Sequence, residues 1–349
     1  MLTREDILNF TVDAGFNRTR ILSGQTIRKA LERIDAVEKS GFTDSEETEE
    51  IKEAWYKFNR QFDPGKNGSF IISALSSYRR ERSDLSEGGN PHGLIAPFAR
   101  RNYYGEAVSR MKEVFRRIRE KTGLKKSDGR IFCNSRLFEK PLAEISGLGF
   151  YGKNTLIISP GLGSNFVIAG LYVPIKLEKD DVPQKWAALG EMCGNCTACI
   201  DACPVNALVR PGVLNEKKCL QYKASRYMHF SEDEKRAWGA KLYGCQICQD
   251  ICPYNKKLEV ETATERGDIG PSISLKTILT MEPEEIKRIF KDTQMGLSWV
   301  SARAIIRNAI IASGNKKDKS MLPYLKNYIN STDAVLKESA EWAAKKIEE

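Results

Sequence analysis

The chain has nine cysteines, and eight of them lie in one stretch of the sequence. The first run, from Cys193 to Pro204, has the spacing C-x2-C-x2-C-x3-C-P, and the second, from Cys245 to Pro253, has the spacing C-x2-C-x3-C-P. The first pattern is that of bacterial ferredoxins, in which three thiolates bind one 4Fe-4S cluster and the cysteine before the proline binds the neighbouring cluster. The spacing therefore predicts two 4Fe-4S clusters.

This crossed arrangement divides the eight cysteines into two sets of four. The first set takes three cysteines of the first run and the last cysteine of the second: Cys193, Cys196, Cys199 and Cys252. The second set takes the others: Cys203, Cys219, Cys245 and Cys248. Cys219 completes the second set because it is the only unassigned cysteine nearby.

Other uses of eight cysteines fit the pattern less well. Two tetrahedral zinc sites would also need four cysteines each, but zinc ribbons do not use a triple repeat that ends in proline. A disulfide framework is disfavoured because a chain of this size without a secretory signal belongs in a reducing compartment.

The size and charge of the chain indicate how many domains and what kind of partner to expect. With 349 residues, 41% hydrophobic and 29% charged, the chain is expected to form two or three globular domains. Its net charge of +9 favours a polyanionic partner such as nucleic acid, although a basic surface without a partner is the alternative. The N-terminus has no apolar signal region, and no stretch reaches the ~20 apolar residues of a membrane span. We therefore expect a cytoplasmic protein without a membrane segment.

The sequence before the cysteines predicts helices and strands in alternation. Helices are expected within residues 1 to about 60 and then further along: Arg28–Lys39, Glu46–Phe58, Tyr104–Lys121 and Leu142–Ser146. Short apolar runs indicate strands: Phe70–Leu75, Ile131–Cys133, Thr155–Ile158 and Phe166–Val173. The segment Gly88–Gly93 is expected to be a loop. The alternation predicts an α/β or α+β domain over residues 1–185.

The segment Gly147–Gly152 matches G-x-G-x-x-G, the fingerprint of dinucleotide-binding folds. That fingerprint should follow a strand and open a helix, whereas here a helix is expected before it and a strand after it. The context argues against a nicotinamide nucleotide. We expect the glycines to let the backbone approach some other large ligand.

The remaining segments give two further domains. Residues 186–258 form the ferredoxin-like module, residues 259–270 are polar and indicate a linker, and residues 271–349 are helical with spacing typical of a short HEAT-type repeat docked on the rest. Basic residues of this last domain could contact phosphates, although a solvated helix face is an equally good explanation: Arg303, Arg307, Lys316, Lys317, Lys319, Lys326, Lys345 and Lys346.

Four segments are similar to the epoxyqueuosine reductase family, which acts in tRNA queuosine modification and resembles reductive dehalogenases in fold: Ala143–Lys153, Cys193–Leu208, Tyr243–Asn255 and Arg307–Ala309. The resemblance covers nearly the whole chain. It implies that the first domain binds base-off cobalamin next to the nearer cluster. It also implies a tRNA substrate carrying epoxyqueuosine, a monomer, and an external electron donor of the flavodoxin or ferredoxin type.

The resemblance also implies which residues bind cobalamin: Tyr103, Cys133, Gly149, Lys153, Asn154, Ser164, Tyr222 and Tyr243. The D-x-H-x-x-G motif of corrinoid proteins with a histidine ligand is absent. The two histidines, His92 and His229, are expected to be surface or capping residues rather than cobalt ligands.

The chain departs from the family at the expected proton donor. Family members usually carry an aspartate on the strand that ends near residue 133, and the resemblance implies that it gives a proton above cobalt. Here Cys133 takes that position, or Asn134 if the alignment contains a one-residue gap, so neither alignment restores a carboxylate. A thiol could donate a proton, and asparagine could orient substrate. Alternatively, Cys133 is a small buried thiol of a strand.

This departure leaves three functional hypotheses. The first is the family reaction, with Cys133 and Asn134 as the catalytic candidates. The second is a related corrinoid and iron-sulfur reductase with a different epoxide, halide or modified nucleoside as substrate. The third is an electron carrier that is not an enzyme, in which the first domain serves for docking.

Overall fold

A computed structural model describes residues 2–39, 45–78, 84–135, 139–180, 187–256, 258 and 268–349. The predicted linker of residues 259–270 and the expected domain boundary near residue 185 lie mostly outside these ranges. In the part of the chain that the structure describes, no helix is long and apolar enough to span a membrane.

The elements are numbered in chain order. The helices are α1 Arg4–Asp13, α2 Ile27–Glu38, α3 Ser45–Phe62, α4 Pro64–Asn67, α5 Tyr103–Thr122, α6 Glu139–Ile145, α7 Ala198–Asp201, α8 Leu220–Ser225, α9 Glu232–Trp238, α10 Ile247–Asp250, α11 Pro253–Lys256, α12 Leu275–Leu279, α13 Pro283–Ile289, α14 Ala302–Lys316, α15 Leu322–Ile329 and α16 Ala334–Glu348. The strands are β1 Arg18–Ser23, β2 Ser69–Ser76, β3 His92–Ile95, β4 Arg130–Cys133, β5 Phe150–Tyr151, β6 Ile157–Ile158, β7 Phe166–Val173, β8 Leu208–Arg210, β9 Val213–Leu214, β10 Lys241–Tyr243 and β11 Ser272–Ser274.

The first domain is built on a four-stranded sheet of order β1-β2-β7-β4. Every neighbouring pair is antiparallel, so the domain is α+β rather than a parallel α/β fold. The strands predicted at Phe70–Leu75, Ile131–Cys133 and Phe166–Val173 are confirmed as β2, β4 and β7. The prediction that residues 1–60 contain only helices was wrong at β1. This strand lies at the sheet edge and buries only two of its six residues, so its sequence carries little apolar signal.

Helices cover both faces of this sheet. Because side chains alternate along a strand, β2 sends Phe70 and Ile72 to one face and Ile71 and Leu75 to the other. The first face packs on α2, α3 and α6, with Trp55 of α3 almost completely buried. The second face packs on α1 and α5. β4 and the start of β7 therefore belong to a sheet that is packed on both of its faces.

The G-x-G-x-x-G segment forms the turn after α6 and the start of the β5–β6 hairpin. A Cβ atom added at Gly149 would lie 2.5 Å from the carbonyl oxygen of Ile158, and one at Gly152 would lie 2.5 Å from the Ile158 side chain. Gly149 and Gly152 thus lie in close packing within the hairpin, whereas Gly147 has open space beside it and a left-handed φ of +71°. The expectation that they admit a large ligand is not supported by these contacts.

A second, three-stranded sheet joins distant parts of the chain. β3 pairs in parallel with β10 and antiparallel with β11. The predicted loop Gly88–Gly93 therefore ends where β3 begins, at His92. Because β3 belongs to the first predicted domain, β10 to the second and β11 to the third, this sheet fastens all three segments together.

The C-terminal helices share a core with the second half of the cysteine module. α14 is buried over most of its length and packs against α8, α9, α12, α13 and α16. Arg307 of α14 is fully buried and donates to the carbonyl oxygens of Lys223, Arg226 and Met228. The idea that Arg307 contacts phosphates was therefore wrong, because its guanidinium fastens α14 to the chain after α8.

Candidate functional site

The first predicted set of cysteines surrounds a small void. Cys193, Cys196, Cys199 and Cys252 line a space of about 40 Å³, together with Lys153, Asn154, Ile158, Ala198, Pro253 and Tyr254. Burial, followed by the neighbouring thiols of Cys193, Cys252 and Cys196, raises the pKa of the Cys199 thiol to about 11. These four side chains are thus close enough to influence one another's ionisation.

The thiols of the second predicted set also influence one another's ionisation. Burial raises the pKa of the Cys248 thiol, and Cys245, Cys219, Cys199 and Cys203 add to this effect. The pKa of the Cys245 thiol is likewise raised by burial and by Cys219 and Cys203. The second set therefore converges around Cys248, and the contribution from Cys199 places the two sets next to each other.

The spacing of these side chains differs from that of a single-ion site. Within the described ranges, which include all nine cysteines, no three His, Cys, Asp or Glu side chains come together closely enough for one metal ion. A tetrahedral zinc ion needs four sulfurs within about 2.3 Å of one centre. A 4Fe-4S cube binds each thiolate through a separate iron atom, so its ligands lie further apart.

Short helices position the thiols. α7 follows Cys196, α10 follows Cys245, and these two helices pack against each other. The Sγ atom of Cys203 accepts a hydrogen bond of 3.2 Å from the backbone N–H of Ala207. Amide hydrogen bonds to cluster sulfurs raise the reduction potential of such centres. The peptide backbone thus supplies the polar surroundings that iron-sulfur clusters need.

A cavity of about 380 Å³ lies between the second set of cysteines and the first domain. Its lining is mainly apolar and comes from all three predicted domains. The cysteine module contributes Cys203, Pro204, Val205, Leu208, Leu214, Cys219, Leu220, Gln221, Cys245, Ile247, Cys248 and Gln249, and the C-terminal region contributes Gln294. The first domain contributes Ser77, Phe98, Tyr104, Lys140, Asn154, Thr155, Leu156, Ser164, Asn165, Phe166 and Val167. The volume is in the range of small-molecule and cofactor pockets.

Two of the predicted cofactor residues line this cavity. Ser164 donates through Oγ to Gln249 at 3.0 Å and through its backbone N–H to Asn255 at 2.8 Å, which joins the first domain to the cysteine module. Asn154 lines both the cavity and the void of the first set. Lys153 lines only the void, where its Nζ donates to the carbonyl oxygen of Gly194 at 2.5 Å.

Four other predicted residues do not line the cavity. Tyr103 is buried in the core between α5 and the sheet, and its neighbour Tyr104 lines the cavity instead. Gly149 packs on Ile158, as described above. Tyr222 stacks under the guanidinium of Arg226 at 3.7 Å, and Tyr243 is buried in the C-terminal core, where Gln221 and Ser225 are its hydrogen-bond partners. Tyr243 is therefore separated from the cavity by Gln221, which lines it.

The two catalytic candidates end β4, next to a carboxyl group that the sequence did not single out. Burial and then Glu139 raise the pKa of the Cys133 thiol to about 12. Asn134 has a φ of +46°, a left-handed conformation that asparagine and aspartate adopt more readily than most residues. The Glu139 carboxylate begins α6 and accepts hydrogen bonds at Oε1 from the Ser135 backbone N–H at 3.0 Å and hydroxyl at 3.2 Å. Cys133 itself does not line the cavity.

An aromatic pair lies at the same end of the cavity. Burial raises the pKa of Tyr104 to about 12, with smaller contributions from Cys133 and Glu139 and an opposing hydrogen bond from Gln294. The ring of Trp299, which is 51% exposed, lies 6.4 Å from that of Tyr104. Neither Gln294 nor Trp299 belongs to a motif. In the sequence they are simply a polar and an aromatic residue shortly before α14, so sequence reasoning did not single them out.

A large polar cofactor would use polar atoms of the cavity wall that lack a partner within the protein, and Asn154 offers one. Asn154 is 4% exposed, and its Oδ1 accepts from the Leu156 backbone N–H at 3.3 Å, which fixes the orientation of the amide. Its Nδ2 then has no hydrogen-bond partner among the residues that the structure describes. A buried donor without a partner is costly unless a ligand satisfies it, so the site fits a cofactor with peripheral amides or carbonyls, such as a corrinoid.

Comparison with known families identifies the cysteine module. Residues 192–255 match the family described as a 4Fe-4S double cluster binding domain. This range includes all eight cysteines of the two sets. The module is therefore an iron-sulfur domain for two 4Fe-4S clusters, as the cysteine spacing predicted.

Relatives of known activity are similar over more of the chain. An epoxyqueuosine reductase from Bacillus subtilis (strain 168) is 35% identical over 215 residues, which are 60% of this chain. The chain spans 53% of the length of that relative. An epoxyqueuosine reductase from Vibrio cholerae serotype O1 is 30% identical over 282 residues, which are 78% of this chain and 73% of that protein.

Solved structures extend the similarity to the whole fold. A crystal structure of epoxyqueuosine reductase with a tRNA-Tyr epoxyqueuosine-modified tRNA stem loop has a TM-score of 0.80 and 25% identity, covering 99% of this chain and 90% of that chain. A structure of epoxyqueuosine reductase from Bacillus subtilis, with its aspartate catalytic loop swung out of the active site, matches with the same TM-score, identity and coverage.

Proposed function

Because the chain belongs to the epoxyqueuosine reductase family, we propose that it is an oxidoreductase that reduces epoxyqueuosine to queuosine in tRNA. The observation that carries this proposal is the cavity placed directly against the second set of cysteines, with Asn154 offering a buried, unused donor. An electron carrier without catalysis would not need such a cavity. The relative solved with a modified tRNA stem loop supports the same substrate.

We infer that base-off cobalamin occupies the cavity, held by Asn154 and Ser164 and flanked by Tyr104. Bound cobalamin would supply reduced cobalt, a strong nucleophile and electron donor toward the epoxide carbon. The chain's own residues keep the site dry: Phe98, Phe166 and Val205 line it with apolar surface. Lys140 donates to the carbonyl oxygen of Thr155 at 3.4 Å, on the wall of the same cavity.

Electrons would enter at the first set of cysteines and leave through the second. Cys196 is exposed, and the neighbouring Met192 is 57% exposed, which leaves an apolar surface for an electron donor of the flavodoxin or ferredoxin type. Cys199 and Cys248 lie close enough to interact electrostatically, which links the two sets. The second set then borders the cavity directly.

The wider organisation follows from the same proposal. We infer a monomeric cytoplasmic enzyme with a cobalamin domain at residues 1–185, a cluster domain at 186–258 and a HEAT-like helical domain at 271–349. In the third domain, Lys317 and Lys319 are exposed and remain candidates for phosphate contacts, whereas Lys316 is engaged with Asp84 at 2.5 Å.

The test is to incubate anaerobically reconstituted protein, cobalamin and a strong reductant with tRNA carrying epoxyqueuosine, and to analyse the digested nucleosides by mass spectrometry. We expect queuosine to appear with the wild-type chain and not with Cys248→Ala, which removes a ligand of the nearer cluster. No conversion by protein that demonstrably holds both clusters and cobalamin would contradict the proposal. It would favour the alternative substrate raised by the missing carboxylate at Cys133 and Asn134.

A further inference from the structure

Trp299 lies at the edge of the cavity with about half of its surface uncovered. Its ring is 6.4 Å from that of Tyr104, at an interplanar angle of 52°, and Tyr104 lines the cavity. Trp299 is 51% exposed, whereas Trp55 and Trp238 are almost completely buried. An indole that is supported by a second ring and open to solvent offers a surface on which a planar ligand can stack.

The turn that carries this indole is fixed through its backbone. The Nζ of Lys287 donates to the carbonyl oxygens of Leu297 at 2.6 Å and Val300 at 3.0 Å, on both sides of the indole. The Val300 side chain is 1% exposed and belongs to the C-terminal core. The position of the indole is therefore set before a ligand arrives, and binding requires little further ordering of the turn.

Two backbone hydrogen bonds connect the same segment to its neighbours. The Asn102 N–H donates to the carbonyl oxygen of Asp292 at 2.9 Å, and Asn102 is the N-terminal cap of α5, the helix of Tyr104. The Ser301 N–H donates to the carbonyl oxygen of Ser225 at 2.9 Å, at the end of α8. The turn is thus fastened to the first domain on one side and to the cysteine module on the other.

Arg226 brings a positive charge to the cysteine-module side of this turn. It directly follows Ser225, is exposed, and its guanidinium lies 3.7 Å from the centre of the Tyr222 ring. Tyr222 in turn follows Gln221, which lines the cavity. A guanidinium has five N–H donors in a fork that matches the geometry of a phosphate, so an exposed arginine here can bind one.

An open aromatic ring together with an exposed arginine is suited to a nucleotide. Every base has a π-face that stacks on an aromatic side chain, and arginine contacts the backbone phosphate. The net charge of +9 favours a polyanion, and a similar protein was solved with a tRNA stem loop. The reacting group has to enter the cavity to come near the second set of cysteines, whereas Trp299 lies at the edge beside Tyr104. The base on Trp299 therefore belongs to a neighbouring nucleotide.

From this arrangement we propose that Trp299 stacks on the base next to the reacting nucleotide of the substrate RNA, and that Arg226 binds a phosphate of the same segment. This inference rests on the proposed function for the RNA substrate and not for the chemistry. Stacking holds the loop of the RNA open and directs the reacting nucleotide into the cavity. Both side chains are positioning residues, because neither contacts the reacting atoms.

The experiment measures binding of a fluorophore-labelled, epoxyqueuosine-modified tRNA-Tyr stem loop to the full chain. The protein carries both clusters and cobalamin but receives no reductant, so no turnover occurs, and fluorescence anisotropy gives the Kd. We expect Trp299→Ala to raise the Kd roughly 5- to 150-fold, and Trp299→Phe to raise it by less than about threefold. Tyr56→Ala removes another exposed aromatic ring, on α3, and should leave the Kd unchanged.

Altered RNA separates stacking from a structural role of Trp299. Two further stem loops carry an abasic site, one on the 5′ side and one on the 3′ side of the modified nucleotide. One of them should bind the wild type about as weakly as the intact stem loop binds Trp299→Ala, and combining the two changes should cause little further loss. Iron content and cobalamin affinity of Trp299→Ala should equal those of the wild type.

Arg226 is tested through the salt dependence of binding. If it binds one phosphate, Arg226→Gln should reduce the slope of log Kd against log salt concentration by about 0.7, the value for a single-stranded segment. Arg226→Lys keeps the charge and should retain the slope. An unchanged slope in Arg226→Gln would remove the phosphate contact from the inference.

The outcomes for Trp299 are distinct. An unchanged Kd in Trp299→Ala would overturn the inference, whether or not the reduced protein converts the stem loop. Fully additive losses from both abasic sites and Trp299→Ala would also overturn it, because the base would then contact something else. Binding through Trp299 without conversion by the reduced protein would support the inference and contradict the proposed reaction. If Trp299→Ala fails to fold or to load, Trp299→Leu takes its place with the same expected loss, and an unchanged Kd would count against the inference.

Discussion

The Nζ of Lys153 donates to the carbonyl oxygen of Gly194, which ties the β5–β6 hairpin of the first domain to the loop between Cys193 and Cys196. This places a basic side chain at the void of the first cysteine set. Reduction of a cluster adds negative charge, which a nearby cation favours. We expect Lys153→Met to lower the reduction potential of the first cluster by on the order of tens of millivolts.

A redox titration followed by electron paramagnetic resonance measures this shift. The exposed Lys125→Met is the control and should leave both potentials unchanged. A shift confined to the cluster beside the cavity would show that Lys153 acts elsewhere.

Asn154 offers a test of cobalamin binding that does not depend on turnover. Asn154→Leu keeps the branched shape of the side chain but removes the unpaired Nδ2 donor. If that donor binds a polar group of the corrinoid, the loss is about 1–2 kcal/mol, or roughly tenfold in affinity. Titration of cobalamin into cluster-loaded protein, followed by absorbance, gives the dissociation constant. Unchanged affinity in Asn154→Leu, with the exposed Asn330→Leu as reference, would remove Asn154 from the site.

The two cysteine sets predict different losses of iron. Cys199→Ala should remove the cluster of the first set and Cys219→Ala that of the second, so each variant should bind about four fewer iron atoms than the wild type. Because only the second set lines the cavity, Cys219→Ala should also weaken cobalamin binding more than Cys199→Ala does. Iron and sulfide analysis after anaerobic reconstitution checks the first statement. Full iron content in Cys219→Ala would exclude it as a ligand.

Arg307 carries a structural prediction. Its buried guanidinium makes hydrogen bonds to three carbonyl oxygens and to Asn308 Oδ1, and removal of the guanidinium takes this donor away from each of these acceptors. We expect Arg307→Met to lower the free energy of unfolding by about 3–5 kcal/mol. The partly exposed Arg303→Met, on the same helix, should change it by less than ~0.5 kcal/mol. Urea denaturation of the full chain gives both values, and similar values for the two variants would contradict this role.

The pairing of Asp84 with Lys316 predicts a stability that depends on pH. Burial opposes ionisation of Asp84, but hydrogen bonds from Lys316 and Ser86 outweigh it and hold the pKa of this carboxyl at about 2. Since the folded pKa lies below the ordinary value of about 3.9, the contribution is complete above about pH 5 and is lost as pH falls through about 2. Because the pair is partly exposed, Asp84→Asn should cost only up to ~1 kcal/mol at pH 7, and this cost should shrink steadily as pH falls toward 2. Thermal unfolding at several pH values measures this, and a cost that does not vary with pH would refute the pairing.

Cysteine spacing predicted the iron-sulfur module because cluster ligation depends on order along the chain. The strands β2, β4 and β7 were likewise predictable from their apolar runs, since buried strands must be apolar. The edge strand β1 was not predictable in this way, because it buries few residues. The short strands β3, β10 and β11 have no local signal at all, because their pairing joins segments far apart in sequence.

The residues of the candidate site were likewise only partly predictable from the sequence. Asn154 and Ser164 were named through a family resemblance, and the structure places both at the cavity. Tyr103 was named where Tyr104 lines the cavity, because helical rotation decides which of two adjacent tyrosines points inward. Trp299 was not named, since a single exposed apolar residue is common on protein surfaces. Only its position beside Tyr104 at the cavity gives it significance.

The sheet formed by β3, β10 and β11 also affects the order in which the protein assembles. β3 pairs with strands that lie about 150 and 180 residues later in the chain. Contacts of such sequence separation form late, and during synthesis they must wait until the distant strand has left the ribosome. The sheet of the first domain is complete at Val173 and can form earlier. We therefore expect the cysteines to remain accessible to the cluster-assembly machinery during an interval that ends when β11 pairs with β3.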